Sequence, residues 1–174
     1  MVAMKLHEKN SLILVLHDIR SAHNVGAMFR TADGAGVTEI ILSGYTPEPP
    51  KKDSLYLTDA DKALKKTALG AEEYVPWRKV VSLTRLLSRL KKEGYAAVAL
   101  EQDKRSVDYQ MYRSGKRTAL IVGNEVSGVE EKILKRCDAI LEIPMCGKKN
   151  SLNVSVAAGI ALYQIIGTMK QGSS

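Results

Sequence analysis

The sequence of 174 residues contains two cysteines, one tryptophan and one phenylalanine, and aromatic residues make up 5% of it. Cys137 and Cys146 have neither C-x-x-C spacing nor a nearby histidine cluster. A disulfide framework and a metal site are therefore both disfavoured, and reduced thiols are typical of the cytosol. With so few aromatic rings, the core must consist mainly of aliphatic side chains.

Long apolar runs are also missing. The longest mainly apolar stretch, residues 154–167, is shorter than the roughly 20 residues that a membrane-spanning helix needs. Near the N-terminus only residues 12–16 resemble the core of a signal peptide. We therefore expect a cytoplasmic protein without a membrane partner.

Two nucleotide-binding signatures are absent. Gly123 and Gly128 lack the following Lys-Ser/Thr of a P-loop, and no glycine cluster has G-x-G-x-x-G spacing after a strand. Gly147-Lys148 has no glycine five residues earlier. These absences disfavour a nucleoside triphosphatase, a dinucleotide oxidoreductase and a regulator that binds small nucleotides.

Positive charge is in excess, with 26 lysines and arginines against 19 acidic residues and a net charge of +7. A basic chain favours an anionic partner, and nucleic acid is the first candidate. Runs of basic residues also occur on ordinary solvated surfaces, so charge alone leaves both interpretations open.

Short apolar runs alternate with helical patterns along the chain, which predicts an α/β fold with a mostly parallel six-stranded sheet and helices on both faces. The predicted strands are residues 12–16, 39–42, 74–77, 96–100, 119–122 and 140–143. The predicted helices are residues 25–35, 59–69, 80–93, 129–137 and 152–169. We expect one domain over residues 1–170 and a flexible tail over residues 171–174.

Ligands of such sheets bind beyond the carboxyl ends of the strands. After the first strand, Asn24 is a candidate N-cap for a helix in which Gly26 and Gly34 share a face with Arg30. Two helical glycines are costly, so we expect another backbone, a partner helix or an RNA phosphate to approach this face. A surface pair of Arg30 with Asp33 is the alternative.

Two later loops carry further candidates. Residues 123–128 read Gly-Asn-Glu-Val-Ser-Gly between the fifth apolar run and a helix. After the sixth run, Ser151 is a predicted N-cap, and Lys148 and Lys149 stand beside free backbone N–H groups that suit a phosphate. Asn153, in the first turn of an apolar helix, requires a polar partner.

Together these segments resemble the three motifs of SpoU-type RNA 2′-O-ribose methyltransferases of the SPOUT superfamily. Asn24 and Arg30 match the first motif, residues 123–128 the second, and residues 143–145 with 151–154 the third. The likeness extends from residue 12 to about residue 167. Val126 stands where the second motif usually has glycine, which bears on the conformation of that loop.

The resemblance implies a homodimer in which the C-terminal part of each chain forms a deep trefoil knot, although threaded chains are otherwise very rare. It also implies that S-adenosylmethionine binds in the knot, largely through backbone groups and apolar contacts. The cofactor-binding positions that it indicates are Gly123, Ile143, Leu152, Leu100 and Met145.

For catalysis, the resemblance makes Arg30 the catalytic residue, supported by Asn24, Glu125, Ser151 and Asn153. The family's proposed role for this arginine is to accept the hydroxyl proton. Because a guanidinium is almost always protonated, stabilisation of a developing alkoxide or a grip on the adjacent phosphate remains an equal alternative. Arg20, Lys148 and Lys149 are the candidate RNA contacts, and no metal is implied.

The substrate is the least constrained feature. Some relatives that act on ribosomal RNA carry an additional N-terminal RNA-binding domain, and the first strand here begins near Ser11. We therefore expect structured RNA, with tRNA favoured over rRNA. The competing hypothesis is a catalytically inactive RNA-binding or RNA-assembly protein that retains the fold; the complete set of motif residues favours the enzyme.

Overall fold

The computed structural model describes residues 10–171. Its helices and strands, in chain order, are β1 (Ser11–His17), α1 (Ala22–Ala35), β2 (Glu39–Ser43), α2 (Asp59–Ala68), β3 (Trp77–Val80), α3 (Leu83–Lys92), β4 (Ala96–Leu100), β5 (Val107–Asp108), β6 (Arg117–Val122), α4 (Glu131–Leu134), β7 (Ala139–Glu142) and α5 (Val154–Gln171). Short 3-10 helices cover Ala71–Glu73 and Tyr109–Met111. Residues 172–174 of the predicted tail lie outside the described residues, and Gln171 is the last residue of α5.

The strands form one sheet in the order β3-β2-β1-β6-β4-β7-β5, and every pairing is parallel. This arrangement confirms the predicted α/β class and parallel sheet. The described residues contain seven strands rather than the predicted six. The additional strand, β5, has two residues and lies beside β7. It was missed because so short a pairing leaves no apolar run in the sequence. The trefoil knot stays a prediction.

Alternate residues of the central strands point to opposite faces of the sheet. In β1, Leu12, Leu14 and Leu16 join a core beneath α1, α2 and α5. Ile13 and Val15 join a second core beneath α3 and α4. Helices therefore cover both faces, as predicted, and the aliphatic strands are buried on both sides.

The third strand was predicted at residues 74–77 but begins at Trp77 and runs to Val80. Tyr74 is exposed, and Pro76 has no N–H to donate to a neighbouring strand. β3 lies at the edge of the sheet, where charged side chains are common. Because Arg78 and Lys79 interrupt the apolar run, the sequence pattern did not indicate a strand here. Arg78 Nε pairs with Glu39 Oε1 of β2 at 2.8 Å.

The glycines of α1 have different surroundings. A Cβ on Gly26 would lie 2.2 Å from the carbonyl oxygen of Leu64 and 2.2 Å from Thr67 Oγ1, so α2 can pack closely only against a glycine. A Cβ on Gly34 would meet only the Tyr163 hydroxyl, at 3.2 Å. Of the approaching groups considered for Gly26, the structure shows a neighbouring backbone, that of α2.

Helix α4 covers Glu131–Leu134 only, less than the predicted residues 129–137. Among residues 10–171, no helix combines the length and the apolar character needed to cross a bilayer.

Candidate active site

A cavity of about 410 Å³ opens at the carboxyl ends of β4, β6 and β7. Its walls come from the last residues of these strands and from the loops that follow them. The sequence-predicted cofactor residues all line it: Leu100, Gly123, Ile143, Met145 and Leu152. The parallel sheet places the ends of these strands together, which is why residues so far apart in sequence meet here.

The loop after β6 is held closed by its own backbone. Asn124 and Gly128 exchange backbone hydrogen bonds of 3.2 and 2.9 Å. A Cβ on Gly123 would lie 2.5 Å from the carbonyl oxygen of Gly128, so the loop requires glycine at this position. Val126 is 82% exposed, so its side chain extends from the loop without disturbing this closure.

Asn124, which sequence reasoning did not single out, fixes the loop. Its Oδ1 accepts from the backbone N–H groups of Val126 and Ser127 at 2.9 and 2.8 Å. Its Nδ2 donates to the carbonyl oxygen of Asp18 and to the Tyr45 hydroxyl at 2.9 and 2.6 Å. Asn124 thus ties the loop to the segments that follow β1 and β2.

Glu101 was also missed, although it directly follows β4 at the ligand-binding end of the sheet. Its carboxylate accepts from the backbone N–H of Val129 at 2.7 Å and that of Gln102 at 2.9 Å. Gln102 in turn donates to the carbonyl oxygen of Asn150 at 2.6 Å. Glu101 and Gln102 both line the cavity and connect its walls.

Glu125 links the cavity to the start of α1. Its carboxylate accepts from the backbone N–H groups of Arg20 and Ser21 at 2.9 and 3.1 Å and from Asn24 Nδ2 at 2.9 Å. Partial burial acts to raise the pKa of Glu125, but these donors outweigh it and hold the pKa below its ordinary value. An ionised Glu125 with so many donors is suited to holding Asn24 in position and not to accepting a proton.

Asn24 and Asn153 are joined directly. Asn153 Nδ2 donates to Asn24 Oδ1 at 3.0 Å. Asn24 is therefore the polar partner that was predicted for Asn153. Asn153 Oδ1 accepts from the backbone N–H and the hydroxyl of Ser155 at 2.8 and 2.6 Å. A polar chain therefore runs from Glu125 through Asn24 to Asn153.

Both predicted N-caps are wrong. Ser21 caps α1 by accepting from the backbone N–H of Asn24, which lies inside the first turn with its side chain free to bind Glu125. Helix α5 begins at Val154, so Asn153 and not Ser151 occupies the capping position. Ser151 is exposed and lines the cavity.

Arg30 does not line this cavity. It is exposed and lines a separate cavity with Lys66 of α2 and Tyr163 of α5. No ion pair with Asp33 is present among the described residues, so the surface pair considered from the sequence does not form. The structure therefore joins Asn24, Glu125 and Asn153 but leaves Arg30 apart from them.

The predicted RNA contacts are accessible. Arg20, Lys148 and Lys149 are all exposed, and none has an acidic partner within the part of the chain that the structure describes. Lys148 and Lys149 lie between β7 and α5, in the loop that forms one wall of the cavity. Their cationic groups are therefore free for a phosphate near the cavity.

One group of described side chains has metal-ligand character. Ligand atoms of His17, Asp18 and Glu130 lie within 4.8 Å of one another. Glu130 is ion-paired with Lys132, so a cation would compete with that ammonium group. None of these residues belongs to the polar chain described above.

The model of the SpoU rRNA methylase family matches residues 11–163. A Staphylococcus saprophyticus protein assigned to the TrmH family of tRNA/rRNA methyltransferases is 34% identical over 161 residues, which is 92% of this chain and 60% of that protein. The chain thus spans about 60% of the length of the curated relatives that it matches.

Solved structures of RNA methyltransferases are also similar to this chain. An S-adenosylmethionine-bound rRNA methyltransferase from Sinorhizobium meliloti is 27% identical with a TM-score of 0.77, over 90% of this chain and 56% of that one. A structure concerning the 2-OH methylation of C/U34 on tRNA is 27% identical with a TM-score of 0.75, over 94% of this chain and 99% of that one.

Proposed function

The chain belongs to the SpoU rRNA methylase family, and from this premise we propose that it transfers a methyl group from S-adenosylmethionine to a ribose 2′-hydroxyl of structured RNA. The observation that carries the proposal is the cavity at the carboxyl ends of β4, β6 and β7. All residues that the resemblance assigns to the cofactor line it, and Glu125 and Asn153 of the polar chain lie at its wall.

The cavity fits S-adenosylmethionine in size and chemistry. Its volume of about 410 Å³ lies within the usual range for small-ligand sites. Leu100, Ile143 and Leu152 offer apolar contacts, while the Gly123 and Met145 segments bring backbone groups to the wall. When bound, the cofactor supplies an electrophilic methyl group, so the protein's task is chiefly to align the hydroxyl that attacks it.

The polar chain performs this alignment. Asn24 is oriented from one side by Glu125 and from the other by Asn153, so its amide cannot rotate without losing a hydrogen bond. Asn153 and Ser151 present polar groups at the cavity wall, where the ribose and its phosphate would lie. Lys148, Lys149 and Arg20 add positive charge for the RNA backbone.

Arg30 acts as an electrostatic clamp in this proposal. Guanidinium groups are cationic in proteins, and Arg30 is exposed. A charged guanidinium can grip the phosphate next to the reacting ribose or stabilise the developing alkoxide. Because Arg30 lies outside the cavity of its own chain, we propose a homodimer in which it completes the site of the partner subunit.

The exposed side of α5 offers an apolar surface for such a dimer. Val156 and Tyr163 are 51% and 57% exposed, and Tyr163 lines the same cavity as Arg30. A surface shared by two copies would bury these side chains and bring Arg30 to the neighbouring polar chain.

We favour tRNA as the substrate over rRNA. The relative whose structure concerns 2-OH methylation on tRNA is matched over nearly its whole length. Mapping 2′-O-methyl positions in total RNA, with and without the gene, tests both the reaction and the target. We expect one tRNA position to lose its methyl group. Unchanged ribose methylation, together with no binding of S-adenosylmethionine by calorimetry, would refute the proposal.

A further inference from the structure

A third cavity, of about 350 Å³, lies beside the edge strand β3 and contains an unsatisfied buried carboxylate. Glu72 is 6% exposed, and neither carboxylate oxygen has a hydrogen-bond partner within residues 10–171. A carboxylate removed from water without donors is costly, so its presence calls for a ligand that supplies them. The lining residues that matter here are Pro50, Lys51, Lys52, Lys65, Glu72 and Trp77.

The segment beside Glu72 can move at little cost. Residues 51–57 are exposed, and the one backbone hydrogen bond found within them joins Ser54 N–H to the carbonyl oxygen of Lys51, at 3.1 Å. Leu55 and Tyr56 are 92% and 90% exposed, so the tip of this segment is not packed on the core. Displacing a segment with so few contacts can open the carboxylate to a ligand.

The chemistry of the cavity matches a guanine base. A carboxylate accepts two parallel hydrogen bonds, and guanine is the RNA base that offers two adjacent donors, N1–H and the 2-amino group, on its Watson–Crick edge. Adenine and cytosine each offer one amino group there, and uracil one N–H. Trp77, half-buried in the cavity wall, provides an aromatic face for stacking.

The lysines that line this cavity can bind the phosphate groups of an RNA strand. Lys51 and Lys52 are exposed at the cavity, and Lys65 is there as well, 3.9 Å from Glu73 Oε1. Helix α2 extends this charge towards Arg30, because the next residue, Lys66, lines the other cavity together with Arg30. A strand of RNA can therefore follow basic residues from Arg30 across α2 to Trp77.

We propose that this cavity is a guanine-binding site in which Glu72 reads the Watson–Crick edge, Trp77 stacks on the base and the lysines hold the attached phosphate. That the base belongs to the RNA substrate rests on the proposed function. The base recognition itself does not depend on methyl transfer, so each can be tested without the other.

Trp77 is the only tryptophan of the chain, which makes it a built-in probe. The protein, without S-adenosylmethionine, is titrated with guanosine, inosine and adenosine monophosphates while its fluorescence is recorded. We expect guanosine monophosphate to quench Trp77 and to bind about tenfold more tightly than inosine monophosphate, which lacks the 2-amino donor. Equal binding of all nucleotides, or no quenching by any, would overturn the proposal.

Glu72→Gln is the decisive variant, and Glu73→Gln is its matched control, because Glu73 is an exposed carboxylate in the same short helix. Each variant removes one negative charge, so a general electrostatic effect would change nucleotide binding by both variants alike. We expect Glu72→Gln to abolish the preference for guanosine over inosine and Glu73→Gln to retain it. We also expect Glu72→Gln to keep or raise the melting temperature; a fall would show that the carboxylate has a structural partner instead.

The source of the base is decided by comparing guanosine monophosphate with a trinucleotide that has guanosine at its centre. Tighter binding of the trinucleotide assigns the site to an RNA strand, and equal binding assigns it to a free nucleotide. If the protein methylates RNA, Glu72→Gln should raise KM for RNA and leave kcat nearly unchanged. Guanine binding without any methyl transfer would refute the proposed function but not this site.

Discussion

Asn153 Nδ2 donates to Asn24 Oδ1 at 3.0 Å, and this bond joins side chains that are 129 positions apart in sequence. Asn24 in turn donates to Glu125 Oε1 at 2.9 Å. The polar chain therefore depends on the start of α1, the loop after β6 and the start of α5 all being in place. Any function of the cavity that needs a fixed amide beside it relies on this bond.

Two substitutions at Asn153 separate its roles. Asn153→Ala removes both the donor to Asn24 and the acceptor that caps α5, so we expect the free energy of unfolding to fall by about 1 kcal/mol. Asn153→Asp keeps the acceptor for Ser155 and replaces the donor with a carboxylate oxygen, and the negative charge that it adds lies at the N-terminus of α5, where the helix dipole favours it. We expect both variants to slow methyl transfer at least tenfold and only Asn153→Ala to lower the melting temperature. Normal turnover of Asn153→Asp would show that the bond to Asn24 does not align the substrate.

Much of this arrangement was predictable because the strands that precede the motif loops have buried, aliphatic central residues. The aliphatic runs that became β1, β4, β6 and β7 can be recognised in the sequence, and parallel strands bring the loops after them to one edge. The motif residues follow these runs directly. Their convergence could therefore be expected before any coordinates were known.

Other features depend on tertiary contacts that leave no local pattern. β5 forms through the pairing of Val107 with Leu141 of β7. β3 carries charged residues because it is an edge strand. In the sequence Asn124 resembles an ordinary loop residue, and only the fold brings it to Asp18 and Tyr45, to which it donates hydrogen bonds. The position of Arg30 depends on how α1 packs against α2, which the helix pattern alone cannot specify.

Arg30→Ala should abolish methyl transfer while leaving the affinity for S-adenosylmethionine nearly unchanged, because Arg30 lies outside the cavity that we assign to the cofactor. A tritiated-methyl transfer assay and calorimetry measure the two quantities. If Arg30 completes the partner's site, mixing Arg30→Ala with Asn153→Asp should restore about a quarter of wild-type activity, because half of the dimers are mixed and each has one intact site. The control is each variant alone. Failure of the mixture to recover activity would place Arg30 and Asn153 in the same subunit's site.

Glu125 should give the fold a pH-dependent contribution. Its pKa in the folded protein lies below its ordinary value of 4.5, because the hydrogen bonds from Arg20, Asn24 and Ser21 favour the ionised form despite partial burial. This stabilisation is fully present above the unfolded-state pKa and is lost as the pH falls through the folded-state value. Because Glu125 is only partly buried and solvent screens its carboxylate, we expect Glu125→Gln to lower the free energy of unfolding by about 1 kcal/mol at pH 7. Denaturant titrations at several pH values should show this difference shrinking below pH 4.5; a constant difference would mean that charge is not its cause.

The two thiols should react differently. Burial, with a smaller effect of nearby Asp138, raises the pKa of Cys137 to about 11, whereas Cys146 is exposed. Only the thiolate is nucleophilic, so Cys137 should be almost inert at pH 8. Ellman's reagent should therefore titrate one thiol in the folded protein and both after denaturation. A Cys146→Ser variant provides the control, and rapid reaction of its remaining thiol would contradict the burial of Cys137.

The glycines of α1 make a matched pair for testing the α1–α2 contact. Alanine is the better helix former by about 1 kcal/mol, so an unopposed Gly→Ala change in a helix stabilises. At Gly34 the new Cβ would meet only the Tyr163 hydroxyl, at the flexible end of a side chain, and we expect a slightly higher melting temperature. At Gly26 it would lie 2.2 Å from the backbone oxygen of Leu64, which cannot yield without moving α2. We expect Gly26→Ala to cost about 2 kcal/mol in spite of the propensity gain, as measured by chemical denaturation. Equal effects of the two substitutions would mean that α2 is free to shift and that close packing is not the reason for glycine at this position.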